Sequence, residues 1–232
     1  MVAVRGPSSR RRTRIGGGPI TLSYRNAYSS SSDLTTYTFS TCDIGTAASN
    51  RIVVVAVSGW RSTDANNTSV TIAGVSATFI ERAFAGASSG AHMELWAAAV
   101  PSGTTGDIVV VFAGAQNRAG IGVWAMYGGS VTAHDTLTST ANPATGTVDC
   151  EAGGAIIGAV AWGTTTGSGG PYTWAWTNLT EKYDGVVENN ANGNTGASDA
   201  FATAQSSLTV TATPNPSEAE PQQAMVVAAF SP

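Results

Sequence analysis

No apolar segment of this chain lasts long enough, before a Gly or Pro interrupts it, to accumulate two turns of 3.6-residue period. What recurs instead is a short run of β-branched and aromatic residues, closed each time by a cluster of Gly, Ser, Thr, Asn or Asp. Such runs build strands and such clusters build turns. Strands are expected near residues 20–25, 35–41, 51–59, 69–73, 77–84, 92–100, 107–113 and 121–127, and, after a Thr-rich link at 132–145, near 147–151, 155–162, 172–177, 180–187, 197–204, 207–213 and 224–230. The segment 93–100, MELWAAAV, would also make a helix. The Pro101-Ser102-Gly103 stop and the apolar run that follows at hairpin distance favour a strand. The expected class is all-β: an antiparallel β-sandwich.

The surface of such a fold must be covered by something, and here it is not charge. Only 11% of the 232 residues are charged, against roughly 25% in ordinary globular chains, while 42% are hydrophobic. Ser, Thr, Asn and Gly take up the difference. The charge present is uneven: Arg5, Arg10, Arg11, Arg12 and Arg14 lie within the first 18 residues, leaving six basic against fifteen acidic groups in residues 15–232, a net of −9. A basic arm precedes an acidic body. Phosphate binding needs a positive face, so the body is not expected to grip nucleic acid. The arm's guanidinium groups suit bidentate contact with carboxylates of a partner, and the arm is read as an anchor. The N-terminal stretch lacks the apolar run of a secretory signal, and no segment approaches 18 apolar residues, so neither export by that route nor a membrane span is expected. Cys42 and Cys150 have neither metal-site nor redox-motif spacing.

Behind the arm, residues 1–18, the chain divides into two β halves, 19–131 and 132–232, which resemble each other. Residues 52–57 line up with 155–160, 107–111 with 207–211, and 121–126 with 225–230. The halves pack either as one sandwich or as two. The runs 52–57, 108–111 and 225–229 are apolar without alternation, which marks strands covered on both faces. Each half would then supply strands that it cannot bury alone, and the covered second face is also what an oligomer interface would need.

Catalysis requires convergent groups, and few are on offer. The chain has two histidines, His92 and His134, both expected at the surface. Glu181, Asp184 and Glu188 form the one dense acidic group; strand alternation would put Asp184 and Glu188 on a common face with Glu181 opposite. The run Glu188-Asn189-Asn190-Ala191-Asn192-Gly193-Asn194 is rich in oxygen ligands, but with one carboxylate it reads as a polar turn rather than a calcium loop. Asn66-Asn67-Thr68-Ser69 matches a glycosylation sequon, which has meaning only on a eukaryotic secretory route. No metal, cofactor or catalytic residue is expected, and the chain is read as a non-enzyme. Tyr172, Trp174 and Trp176 alternate and so share one face of a strand. Exposed, that face would stack on sugar rings or on a partner; buried, it is a core ladder, the commoner fate of Trp.

Residues 34–39 (LTTYTF), 51–57, 70–77 (VTIAGVSA) and the ending 225–232 together resemble virion structural proteins of tailed bacteriophages and of prophage or gene-transfer-agent clusters, over roughly residues 20–232. The resemblance implies a jelly-roll or related sandwich, assembled in the bacterial cytoplasm and carried on the virion, with other capsid or tail proteins as partners and a homo-oligomeric state. The function so implied is a surface appendage, a fibre, spike or receptor-contacting module held by its N-terminal arm. A head decoration or cement protein is the alternative, and a carbohydrate-binding module meeting a host surface glycan is the third reading.

Overall fold

The computed structural model describes residues 18–61, 66–86, 90–164, 173–188, 191–215 and 221–232. Among them are seventeen strands and no helix. The first nine are β1 (Thr21–Ser30), β2 (Leu34–Asp43), β3 (Arg51–Trp60), β4 (Asn67–Ile72), β5 (Val75–Ser76), β6 (Thr78–Ala85), β7 (Ala91–Ala99), β8 (Thr105–Gln116) and β9 (Arg118–Tyr127). The remaining eight are β10 (Asp135–Ser139), β11 (Ala144–Cys150), β12 (Ala155–Thr164), β13 (Thr173–Thr177), β14 (Glu181–Glu188), β15 (Asn192–Ala200), β16 (Gln205–Asn215) and β17 (Pro221–Phe230). Among the described residues no helix is long and apolar enough to cross a membrane.

Pairing is antiparallel and nested. In the first nine strands β1 pairs with β9, β2 with β8, β3 with β7 and β4 with β5. In the last eight, β10 pairs with β17, β11 with β16 and β12 with β15. First with last, second with last but one, and so inward is how a long hairpin looks once wound into a jelly roll, and here it occurs twice. Each winding yields two sheets. The larger ones have the orders β1-β9-β3-β7-β6 and β10-β17-β12-β15-β14, the smaller ones β2-β8-β4-β5 and β11-β16-β13. Position for position, β3 corresponds to β12, β8 to β16 and β9 to β17, the same three pairs that the sequence lines up.

The two five-stranded sheets lie face to face, each backed by its own smaller sheet, so the molecule is four β-layers with three cores. The middle core takes Val54 and Ala56 from β3, Met93 and Leu95 from β7, Ile157 from β12 and Val226 from β17. The alternate residues Val53, Val55 and Val57 face the first small sheet, and Ile156, Val160 and Val227 face the second. β3, β12 and β17 are therefore covered on both faces, which is why they carry no polar alternation. The cover on the second face is the other half of the same chain, not another copy of it. The run 108–111 differs: Ile108 and Val110 are buried while Val109 and Val111 are half-buried, because β8 lies in an outer sheet with one wet face.

β7 is the strand that local propensity leaves undecided. Its odd residues from Ala91 to Ala97 enter the middle core, and His92, Glu94, Trp96 and Ala98 face the first small sheet. A helix would point these side chains around a cylinder; only a strand delivers them to two flat cores at once. The expected link 132–145 contains β10, and β15 spans Asn192–Ala200 rather than 197–204.

Polar side chains stitch the two inner sheets. Trp60 Nε1 donates to the Trp162 carbonyl at 2.8 Å, Asn194 Nδ2 to Ser58 Oγ at 2.9 Å, and Trp124 Nε1 to Ser198 Oγ at 3.0 Å. Each satisfies a group that would otherwise be buried without a partner.

Candidate functional site

The first large sheet is wider than the small sheet that covers it. β5 is two residues long, so β4 is nearly the edge of the cover, while β6 and β7 continue beneath and beyond it. At this step lies a cleft of about 170 Å³ lined by Asn66, Asn67, Phe79, Arg82, Glu94 and Trp96. Register explains the set. Phe79 pairs with Trp96 and Arg82 with Glu94, and a bulge between Phe79 and Glu81 brings Phe79 onto the same face as Arg82. Without it, alternation would turn Phe79 to the middle core.

Glu94 is fully buried, and each of its oxygens is engaged. Oε1 accepts from the Asn67 backbone N–H at 2.9 Å and stands 3.2 Å from Arg82 Nε; Oε2 accepts from Trp96 Nε1 at 2.8 Å. Burial nevertheless raises its pKa, outweighing the backbone and indole donors and the Arg82 charge that lower it. The Asn67 side-chain amide makes the weakest lowering contribution, and neither its oxygen nor its nitrogen has hydrogen-bond geometry to any group. Asn67 is 4% exposed, so both polar ends of a buried amide lack partners. The Phe79 ring, 47% exposed, meets Trp96 edge to face at 5.3 Å. The described lining holds one carboxylate and neither histidine, and no group of three potential metal ligands occurs among the described residues. The cleft combines one aromatic wall, a buried amide and an internally neutralised ion pair.

None of these residues stands out in the sequence as a site. Asn67 reads there as a sequon position, and Glu94 as one residue of an ambiguous helix or strand. The residues that the sequence does single out lie elsewhere. Arg5, Arg10, Arg11, Arg12, Arg14 and Tyr172 fall outside the described residues. Trp174 is buried and Trp176 half-buried, both packed in the core between the second pair of sheets, with Trp176 Nε1 donating to Thr195 Oγ1 at 3.1 Å. The two described rings pack as part of a core ladder, because the face of β13 that carries them closes on β12 and β15.

His92 corrects the surface expectation. It is buried against Phe112, with rings 5.4 Å apart, and its Nε2 has no partner; burial first and the Arg82 charge second push its pKa down to about 3. The cause is the two-face burial of β7. His134 stays partly exposed, its Nδ1 3.9 Å from Glu151. The acidic group on β14 does not share faces as alternation implies, because bulges interrupt its register at Glu181/Tyr183 and at Val186/Glu188. Asp184 accepts from the Trp174 backbone N–H at 2.9 Å, whereas Glu188 pairs with Arg118 of the other large sheet. Burial raises the pKa of Glu181, as does the nearby Asp184 charge. Asn192 and Asn194 are not in a turn but in β15, buried. Cys42 and Cys150 are free, buried in different cores, with thiols pushed up by burial to about 11.

Comparison of the chain with protein-family models, with curated proteins and with solved structures finds no match.

Proposed function

We propose that the chain is a non-enzymatic structural protein of a tailed-bacteriophage or related virion, a surface module held to the particle by its arginine-rich arm. The observation that carries this reading is the pair of nested jelly-roll windings welded through their larger sheets. Strands covered on both faces and cross-sheet bonds such as Trp60 to Trp162 make a slab that holds shape. A rigid slab, a low-charge surface and a basic arm on an acidic body are what a part presented on a particle requires. Jelly rolls also serve lectins and cupins, so the strand order narrows the role without choosing it alone.

The experiment is localisation on purified particles. Tagged protein imaged on virions should mark discrete appendages, and deletion of residues 1–14 should release it. Label spread over the head lattice, with heads made fragile by its loss, would identify a cement protein instead. Absence of the protein from purified particles would end both versions.

A further inference from the structure

Where the β body begins, an open apolar groove lies beside a rim of carboxylates. The Ile20 N–H donates to the Gly153 carbonyl at 2.8 Å, and the Gly153 N–H donates to the Phe201 carbonyl at 2.8 Å, so three segments meet at one loop. Pro19, Ile20, Gly153, Ala200, Phe201 and Ala202 line a groove of about 290 Å³ whose lining contains no polar side chain. Glu151, two residues before Gly153, has its side chain 40% exposed, and Asp149 is exposed as well. Asp135 joins them, its Oδ2 accepting from the Asp149 backbone N–H at 2.8 Å, and Asp199 directly precedes Ala200. The Ser207 and Thr180 backbone N–H groups meet one oxygen each of Asp149 and Asp199, and a carboxylate has about four lone-pair sites, so accepting capacity remains on this rim. Arg25, Arg82 and Arg118 of the body are paired elsewhere, with Asp43, Glu94 and Glu188.

Cations suited to this rim are carried by the chain immediately before the body. Arg10, Arg11, Arg12 and Arg14 lead into Ile15, and Gly16-Gly17-Gly18 separates Ile15 from the groove-lining Pro19 and Ile20. Glycines accept the backbone angles of a reversal, and a Cβ at Gly18 would meet nothing within 4 Å, so the chain has room to turn back there. Ile15 stands four residues from Pro19, a span of at most about 14 Å, which brings it within reach of the groove. We propose that the arm folds back onto its own body, with Ile15 in the groove against Phe201 and two or more arginines on Asp135, Asp149, Glu151 and Asp199. The chain's own arm is the occupant, rather than a neighbour's, because exposed ion pairs are individually weak and a short tether supplies millimolar effective concentration. The contact stands whether or not the chain belongs to a particle. Where the arm also anchors it, as proposed above, the anchor is stowed until a more acidic partner competes for the arginines; only this consequence rests on that reading.

The test uses isotope-labelled full-length protein carrying a nitroxide on Ser8→Cys. Cys42 and Cys150 are buried, with thiols pushed up to about 11, and do not compete for the label. In about 20 mM salt the amide signals of Gly153, Phe201 and Ala202 should lose about half their intensity or more relative to the reduced label, and about 0.5 M salt should restore most of it. Replacing Arg10, Arg11, Arg12 and Arg14 together by Gln should relieve the broadening about twofold or more, and so should Ala202→Arg, which sets a cation at the mouth of the groove. Ala202 is exposed, so its variant folds whatever the arm does. Broadening that neither salt nor the arginine replacement changes is that of an arm trailing from its root, and overturns the proposal. So does the absence of broadening at all three amides. Broadening caused by a nitroxide carried only on a second, isotopically unlabelled copy would seat the arm on its neighbour and overturn the internal contact. None of these measurements involves a particle, so their failure is separate from failure of the virion reading.

Discussion

Every guanidinium nitrogen of Arg51 donates a hydrogen bond. The residue is 1% exposed, and its guanidinium donates to four backbone carbonyls: Val100 at 2.7 Å, Gly45 at 2.6 Å, Gly103 at 2.9 Å and Ser102 at 2.7 Å. It thereby ties the β2–β3 and β7–β8 connections together at one end of the slab. The planar fork reaches all four carbonyls at once, which a lysine ammonium cannot. Arg51→Met should lower stability by at least about 3 kcal/mol in urea unfolding, and Arg51→Lys should recover only part of that loss. At the same scale His92 makes the protein acid-sensitive. Its pKa is about 3 in the fold against an ordinary 6.5, so below that ordinary value the unfolded chain takes up a proton that the native imidazole refuses. Stability should fall as pH drops from about 6.5 towards 3, by up to about 1.4 kcal/mol per pH unit. Glu94, raised by burial, acts in the opposite sense: it gains a proton in the fold before it does in the unfolded chain, stabilising the fold at low pH. His92→Gln should flatten the fall in urea midpoint between about pH 6 and pH 4; an unchanged slope would assign the acid sensitivity to other groups. Neither residue announces this role in sequence, since an Arg at a strand start and a His in an apolar run look like surface residues until both faces of the strand are found covered.

β15 shows how an element can be illegible locally and well determined globally. Asn192-Gly193-Asn194 has the composition of a turn, and only the packing on both sides makes it a strand. A Cβ at Gly193 would come within 2.5 Å of the Trp162 indole. One at Gly196 would stand 2.4 Å from the Tyr183 ring and 2.9 Å from that of Trp124. The glycines clear the aromatics and, at Gly193, the Gly185 carbonyl of the neighbouring strand, rather than turning the chain. Tyr24 stacks on Tyr183 at 5.4 Å and meets Trp124 edge on at 5.6 Å, a three-ring group joining β1, β9 and β14 across the inner sheets. Gly196→Ala should cost about 1–3 kcal/mol by overpacking this group, read as a lower thermal midpoint, with the tryptophan near-ultraviolet circular dichroism altered. Bulges are the other feature hidden from the sequence. Those in β6 and β14 decide which way Phe79, Asp184 and Glu188 point, and period-two reasoning misassigns each of them downstream of the slip.

Taken whole, the molecule hides its most apolar surface between its two halves. The sheet face formed by Val54, Ala56, Leu95 and Trp124 in one half is closed by Ile157, Val226 and Phe230 in the other. Burial of that face is shared, so neither half keeps its stability when the other is lost. The full chain should therefore unfold in one calorimetric transition, with calorimetric and van't Hoff enthalpies equal. Residues 19–131 expressed alone should associate through the uncovered face; a monodisperse, cooperatively folded fragment would show that the inner interface is incidental to stability. The sequence alone determined the strand class, the repeated order of apolar runs and the two-sided burial of β3 and β17, because each is written in composition and period within a single segment. Tertiary structure alone decided what covers those strands, that β15 is a strand, and that Asn67, Phe79, Arg82, Glu94 and Trp96 share one cleft. These depend on which segments meet, and antiparallel partners up to about a hundred residues apart, such as β1 and β9, leave no local trace of their register.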